Sequence, residues 1–142
     1  MSTIARKQKR FAEAEALCQQ GLKLSQQLGA QLAIANHLHT LGQIARERGS
    51  YSEASQRNKE SLTIYQENGE RRGVAFCLNE LGYAAWLLEM YETSRQYYQE
   101  ALTTAIEIGA IPVALNALVG ATAHLTIRGE QERELAVRPI QK

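Results

Sequence analysis

The residues of this chain whose types could do chemistry are three histidines, two cysteines, a set of scattered acids, and a few Asn, Tyr and Trp side chains. His37 and His39, in HLHT, stand two apart. On a helix they point about 200° from each other and cannot share one metal ion. His124 is remote from both, so all three read as satisfied or solvent-facing side chains. Cys18 and Cys77 show no CxxC spacing and no apolar secretory stretch precedes them, which argues against a disulfide framework or a zinc knuckle and for a reducing cytoplasm. No base is signalled beside either thiol, so both read as small buried hydrophobes and not as nucleophiles. Glu13, Glu15, Glu47, Glu53, Glu60 and Glu67 follow helix faces with Lys and Arg interleaved, the pattern of a solvated surface. No Gly-rich phosphate loop is present. The expectation is a non-catalytic chain without metal or cofactor.

Sixteen basic against fifteen acidic residues leave a formal charge of +1, which supplies no overall field for nucleic acid or an anionic membrane. The basic cluster from Arg6 to Arg10 lacks aromatic interleaving, so direct nucleic-acid binding is not expected. At 142 residues the chain fits one domain, able to bury about two thirds of its unfolded surface. Two prolines, abundant Ala, Leu, Gln and Glu, and no alternating β-branched run favour helices throughout. Ile108 to Ile127 carries no charge but contains Gly109, Pro112, Asn116, Gly120 and His124. That is poor membrane chemistry, and the stretch reads as a core helix whose two sides both want cover.

The elements that must position these residues follow from a repeat. FAEAEALCQQGL begins at Phe11, YSEASQRNKESL at Tyr51 and YETSRQYYQEAL at Tyr91, a step of forty. The same step relates Gly29, Gly69 and Gly109, then Leu38, Leu78 and Leu118, and carries Leu41-Gly42 to Leu81-Gly82. In the third copy Ala121-Thr122 replace Leu-Gly, and Val119-Gly120 stand displaced by two. Glycines, with Glu89-Met90 in one place, punctuate each period and predict helices over 11–28, 31–48, 52–68, 71–89, 92–108 and 112–128. Short turns make neighbours antiparallel. Tyr51 and Tyr91, just past turns, are expected to pack across the next pair.

IARKQKRF at 4–11 keeps the register of IARERGSY at 44–51, so the basic opening reads as a helix end and not as a targeting peptide. The expected organisation is a single array over 1–142: residues 1–10 the end of a truncated first helix, 11–30 its second helix, 31–70 and 71–110 full repeats, and 111–138 a partial one. After Gly129, EQERELAV is expected to begin another helix stopped by Pro139. The chain thus reads as a cut edge of a longer solenoid, or as a truncated one that covers its exposed terminal helices by self-association.

Leu81-Gly82, Ala85, Tyr91, Ser94, Tyr98 and Ala101, preceded by Leu41-Gly42, Ala45, Tyr51, Ala54 and Ser61, resemble the tetratricopeptide repeat in order and spacing. Asn58 stands where an aromatic is expected, Ser94 replaces Ala, and forty residues exceed the usual thirty-four. The resemblance implies an all-α antiparallel helix-pair solenoid, a right-handed superhelix of about three repeats, stabilised by stacking of neighbours. It also implies that the first helix of each pair lines a concave groove. Carried over residue by residue, that face holds Asn36, His39, Gln43 and Arg46, then Asn79, Tyr83 and Trp86, then Asn116 with Ala123. Asn amides suit a peptide backbone and Trp86 with Tyr83 an aromatic anchor. A carboxylate clamp like that of some members is not expected, since only Asn36 and Arg46 offer anything similar. The long form looks like arrays of bacterial multidomain regulators, which implies a cytoplasmic module that binds protein or peptide, or alternatively the inducer-sensing part of a switch-ATPase type regulator.

Overall fold

The computed structural model describes residues 2–136, which form six helices and, among the described residues, no strand: α1 (Thr3–Leu28), α2 (Gln31–Glu47), α3 (Tyr51–Glu67), α4 (Arg71–Leu87), α5 (Tyr91–Glu107) and α6 (Ile111–Ala136). Each of the five turns centres on one residue at positive φ, four of them glycine. The backbone N–H that follows reaches back five residues, as from Met90 to the Ala85 carbonyl at 2.8 Å, and satisfies a helix-end acceptor. The fifth turn places Glu89 at φ 60°, the position where Glu89-Met90 was expected to replace glycine.

Every helix packs on its neighbours in sequence; in addition α2 touches α4 and α4 touches α6, whereas no such contact joins α1, α3 and α5 among the described residues. The first helices therefore form an inner layer and the second helices an outer one, an all-α helix-pair solenoid. Leu38, Leu41 and Ala45 of α2, like Leu78, Leu81 and Ala85 of α4, recur at three and four and are buried. Gly42 and Gly82 lie under Asn58 and Tyr98, and the small Ala54 and Ser94 are sealed at the same crossings. The departure at Ser94 has a reason: its hydroxyl donates to the Gly82 carbonyl at 2.7 Å, tying α5 to α4 where they cross closely. Ser61 does the same to the Ala35 carbonyl at 2.7 Å.

Two boundaries differ from expectation, both where an outermost helix has a neighbour on one side only. No turn separates residues 1–10 from 11–30: α1 is continuous, started by the Ser2 hydroxyl accepting from the Ala5 N–H at 3.1 Å. Lys9 stands where Gly49 makes the turn after α2, and residues 3–10 are exposed except for the half-buried Ala5. At the other end Gly129 does not stop the last helix, which runs on to Ala136 without positive φ. Pro139, expected to end it, lies outside the described residues. The uncharged stretch is covered on one side only. Val113, Ala117 and His124 are buried, while Leu115, Leu118 and Leu125 are exposed.

Candidate functional site

The inner layer presents two hollows. The first, about 460 Å³, is lined by Asn36, His39 and Gln43 of α2 and by Gly73 and Phe76 of α4, with Tyr65 at its floor. The second, about 360 Å³, lies between Arg46, the α4 residues Asn79, Glu80, Tyr83 and Trp86, and Asn116 of α6. Ala123 and Tyr98 complete its wall. The eight candidate residues thus fall on one face but into two sets, Asn36, His39 and Gln43 in one and Arg46, Asn79, Tyr83, Trp86 and Asn116 in the other. The forty-residue step explains the pairing of positions: His39 and Asn79, or Gln43 and Tyr83, are the same place in successive repeats.

In the first hollow Asn36 and His39 are tied to the scaffold. His39 Nδ1 lies 2.8 Å from Asn58 Oδ1, and Asn58 Nδ2 donates to the Ala54 carbonyl at 2.9 Å. This polar pair takes the place of the aromatic that the repeat pattern calls for at position 58. The Tyr65 hydroxyl donates to Asn36 Oδ1. His37 turns the other way, toward α1, with Nδ1 3.8 Å from Cys18 Sγ. The two histidines thus serve different helices.

The second hollow is the more aromatic. Arg46 carries its guanidinium 5.3 Å from the Tyr83 ring centroid and pairs across the inner layer with Glu80, Nη1 donating to Oε1 at 3.2 Å. Arg46 Nη1 also lies 3.1 Å from Glu80 Oε2, although no donor meets that oxygen at hydrogen-bonding angle among the described residues. The charges cancel, so the hollow is neutral. Asn79 Oδ1 is buried with no hydrogen-bond partner among the described residues. Trp86 meets Tyr91 edge to face at 5.1 Å. Tyr91 therefore packs within its own pair, where Trp86 occupies the last turn of α4 beside it. Trp86 is both an interhelix contact and a wall of the hollow.

Tyr98 was legible only as core. Its ring is buried between the backbones of α4 and α6, where a Cβ on Gly82 would come to 3.0 Å and one on Gly120 to 2.4 Å. The displaced Val119-Gly120 is thereby explained: Gly120 makes room for the ring of the preceding repeat. Burial, then the Glu80 carboxylate, pushes the Tyr98 hydroxyl up to about 12, so it is a neutral phenol at the edge of the hollow. Phe76, Glu80, Tyr98 and Val119 line the face without having been singled out as site residues from sequence. Phe76 was recoverable, since it is forty residues from both Asn36 and Asn116. His124, expected to be satisfied or solvent-facing, is buried with Nδ1 unpartnered among the described residues.

Paired antiparallel helices in two layers, with a continuous inner face, define a helical-repeat protein. Residues 1–67 match the family model for the tetratricopeptide repeat, which supports assignment to that family, and the same forty-residue unit continues through α4, α5 and α6. No curated protein matches it. Tetratricopeptide repeats generally mediate protein–protein interaction and are typically non-catalytic. No helix among the described residues is long and apolar enough to cross a membrane.

Proposed function

We propose that the inner face of α2, α4 and α6 binds a peptide segment of a partner protein, extended or helical, without catalysis. Tyr83 and Trp86 supply the apolar anchor, and Asn36, His39, Gln43 and Asn116 meet the segment's backbone or polar side chains. The observation that carries this reading is the succession of two hollows along one face at the repeat's own spacing, the second more aromatic and holding the Arg46–Glu80 pair. The module is proposed to serve in a larger bacterial signalling or transcription-regulatory protein in the cytoplasm, consistent with the resemblance of its long repeats and with two buried free thiols.

Trp86 is the sole tryptophan, so its fluorescence reports the second hollow directly. Peptide-library screening followed by titration is expected to yield a ligand that shifts the Trp86 emission and loses at least about tenfold in affinity in Tyr83→Ala. A ligand bound undiminished by Tyr83→Ala, with the Trp86 emission unmoved, would move the site elsewhere. The size of the second hollow also favours a small-molecule inducer as a second reading, since such sites begin at about 300 Å³. Failure of every peptide, with a metabolite raising the melting temperature, would select it.

A further inference from the structure

The least explained surface of the molecule is the outward stripe of α6. Ile111, Leu115, Leu118, Thr122, Leu125 and Gly129 recur at alternating steps of four and three, the spacing of a coiled-coil seam. The three leucines and Ile111 are 50 to 64 % exposed. In α2 and α4 the equivalent face is where the second helix of the pair packs. A natural first thought is that another second helix, such as α1 of a neighbouring copy, would cover it and continue the array. The side chains argue against that. The second helix approaches α2 and α4 over Ala35, Gly42 and Ala45, and over Ala75, Gly82 and Ala85, all buried. In the same register α6 carries Leu115, Thr122 and Leu125. These fill the space that the close crossing needs, and an overpacked crossing is destabilising. The face is built for a wider, leucine-to-leucine contact.

We infer that α6 pairs with α6 of a second copy of this chain, antiparallel, about a twofold axis at residue 120. In that register Leu118 faces the partner's Thr122, Leu115 faces the partner's Leu125, and Ile111 faces the partner's Gly129. Each large side chain at the centre and ends meets a small one, and the leucines meet each other. A twofold interface must be self-complementary in this way. Charge selects the orientation. From Ile111 to Ile127 neither copy has a charged side chain, and the charged stretch from Arg128 to Glu134 begins only where the partner's helix starts. A parallel pair would instead set Gly129 against Gly129 and lay the same charged stretches side by side. The overlap spans about 27 Å of helix, at 1.5 Å per residue, and residues 130–136 run past it. The proposal is independent of what the inner face binds, because none of the seam residues lines the second hollow.

Sedimentation velocity on the full chain at micromolar concentration is expected to show a species of twice the 15.8 kDa chain mass. Leu118→Glu, at an exposed position, is expected to give the monomer with an unchanged far-ultraviolet spectrum, and Leu17→Glu on α1 to leave the dimer intact. Mixing Leu118→Cys with Thr122→Cys under mild oxidation is expected to enrich the mixed 118–122 disulfide over the 118–118 and 122–122 products. A monomeric wild type, a dimer that survives Leu118→Glu, a dimer lost in Leu17→Glu, or predominance of the 118–118 and 122–122 products would each overturn the proposal.

Discussion

α4 and α6 are the same helix in successive repeats, yet Leu78 is 1 % exposed and Leu118, forty residues on, is 50 % exposed. α4 is clamped between α3 and α5, with α2 and α6 beside it in the inner layer; among the described residues α6 has α5 and α4 only. A repeat position defines which face a side chain presents, and the neighbours define whether that face is buried. The substitutions follow the difference. α4 keeps Gly82 and Ala85 where α5 crosses, whereas α6 has exchanged them for Thr122 and Leu125. Stability in such a solenoid is approximately a sum of repeat and interface contributions, so the two helices contribute unequally although their sequences run in register.

Truncating the two equivalent leucines breaks the comparison open most directly. Leu78→Ala empties a sealed site in the cluster with Tyr98, Ala101 and Ala117 and is expected to cost about 3 to 4 kcal/mol. Leu118→Ala is expected to cost under about 1 kcal/mol in the monomer. Urea denaturation checks both. The second value should grow with protein concentration, because a bound second copy adds its own stabilisation; a flat value would mean the exposed seam stays unpaired.

Alkaline pH sharpens the contrast next. Burial pushes the Cys77 thiol in α4 up to about 11 from its ordinary 9.0, against the hydrogen bond to Ser61 that favours ionisation. The folded chain therefore holds the proton more tightly than the unfolded one. The contribution is fully present below pH 9 and is lost as pH rises toward 11, at about 1.4 kcal/mol for each pH unit. A loss of about 2 to 3 kcal/mol is expected in urea titrations across that window, and Cys77→Ala should remove it. The α6 equivalent is Ala117, which has nothing to titrate. Tyr98, raised in the same way between α4 and α6, should leave a residual slope above pH 10 in that variant.

The strict forty-residue step made the helix-pair solenoid legible, because one period names the buried face, the crossing residues and the turns together. It failed at residues 9 and 129, where turn chemistry and tertiary contact part company. Gly129 is a turn residue inside a helix, and Glu89 is a helix former inside a turn. What separates them is the presence of a packed partner helix, which no local signal carries. The inner face was legible as a set of positions but not as two hollows, since the division arises from α4, which turns Gly73 and Phe76 to one hollow and Asn79, Tyr83 and Trp86 to the other. Glu80 was invisible for a different reason. A carboxylate reads as solvated surface until its Arg46 partner, thirty-four residues earlier, is brought across the inner layer.

The Glu89 turn offers the smallest and most local test. All other turns of the array put glycine at positive φ, where an L side chain brings Cβ against its own backbone at a cost of roughly 1 to 2 kcal/mol. Glu89 is exposed, and among the described residues its side chain makes no hydrogen bond or ion pair; the turn persists because α4 and α5 pack around Leu78, Tyr98 and Ala101 regardless. Glu89→Gly relieves the strain but gives the unfolded chain more freedom, and the net gain is expected to be about 1 kcal/mol. A matched Gly49→Glu at the equivalent turn of the preceding repeat should lose about the same amount. If the two changes fail to mirror each other in thermal unfolding, the turns of neighbouring repeats are not equivalent, and the strain at Glu89 is already absorbed by the packing of its own helix pair.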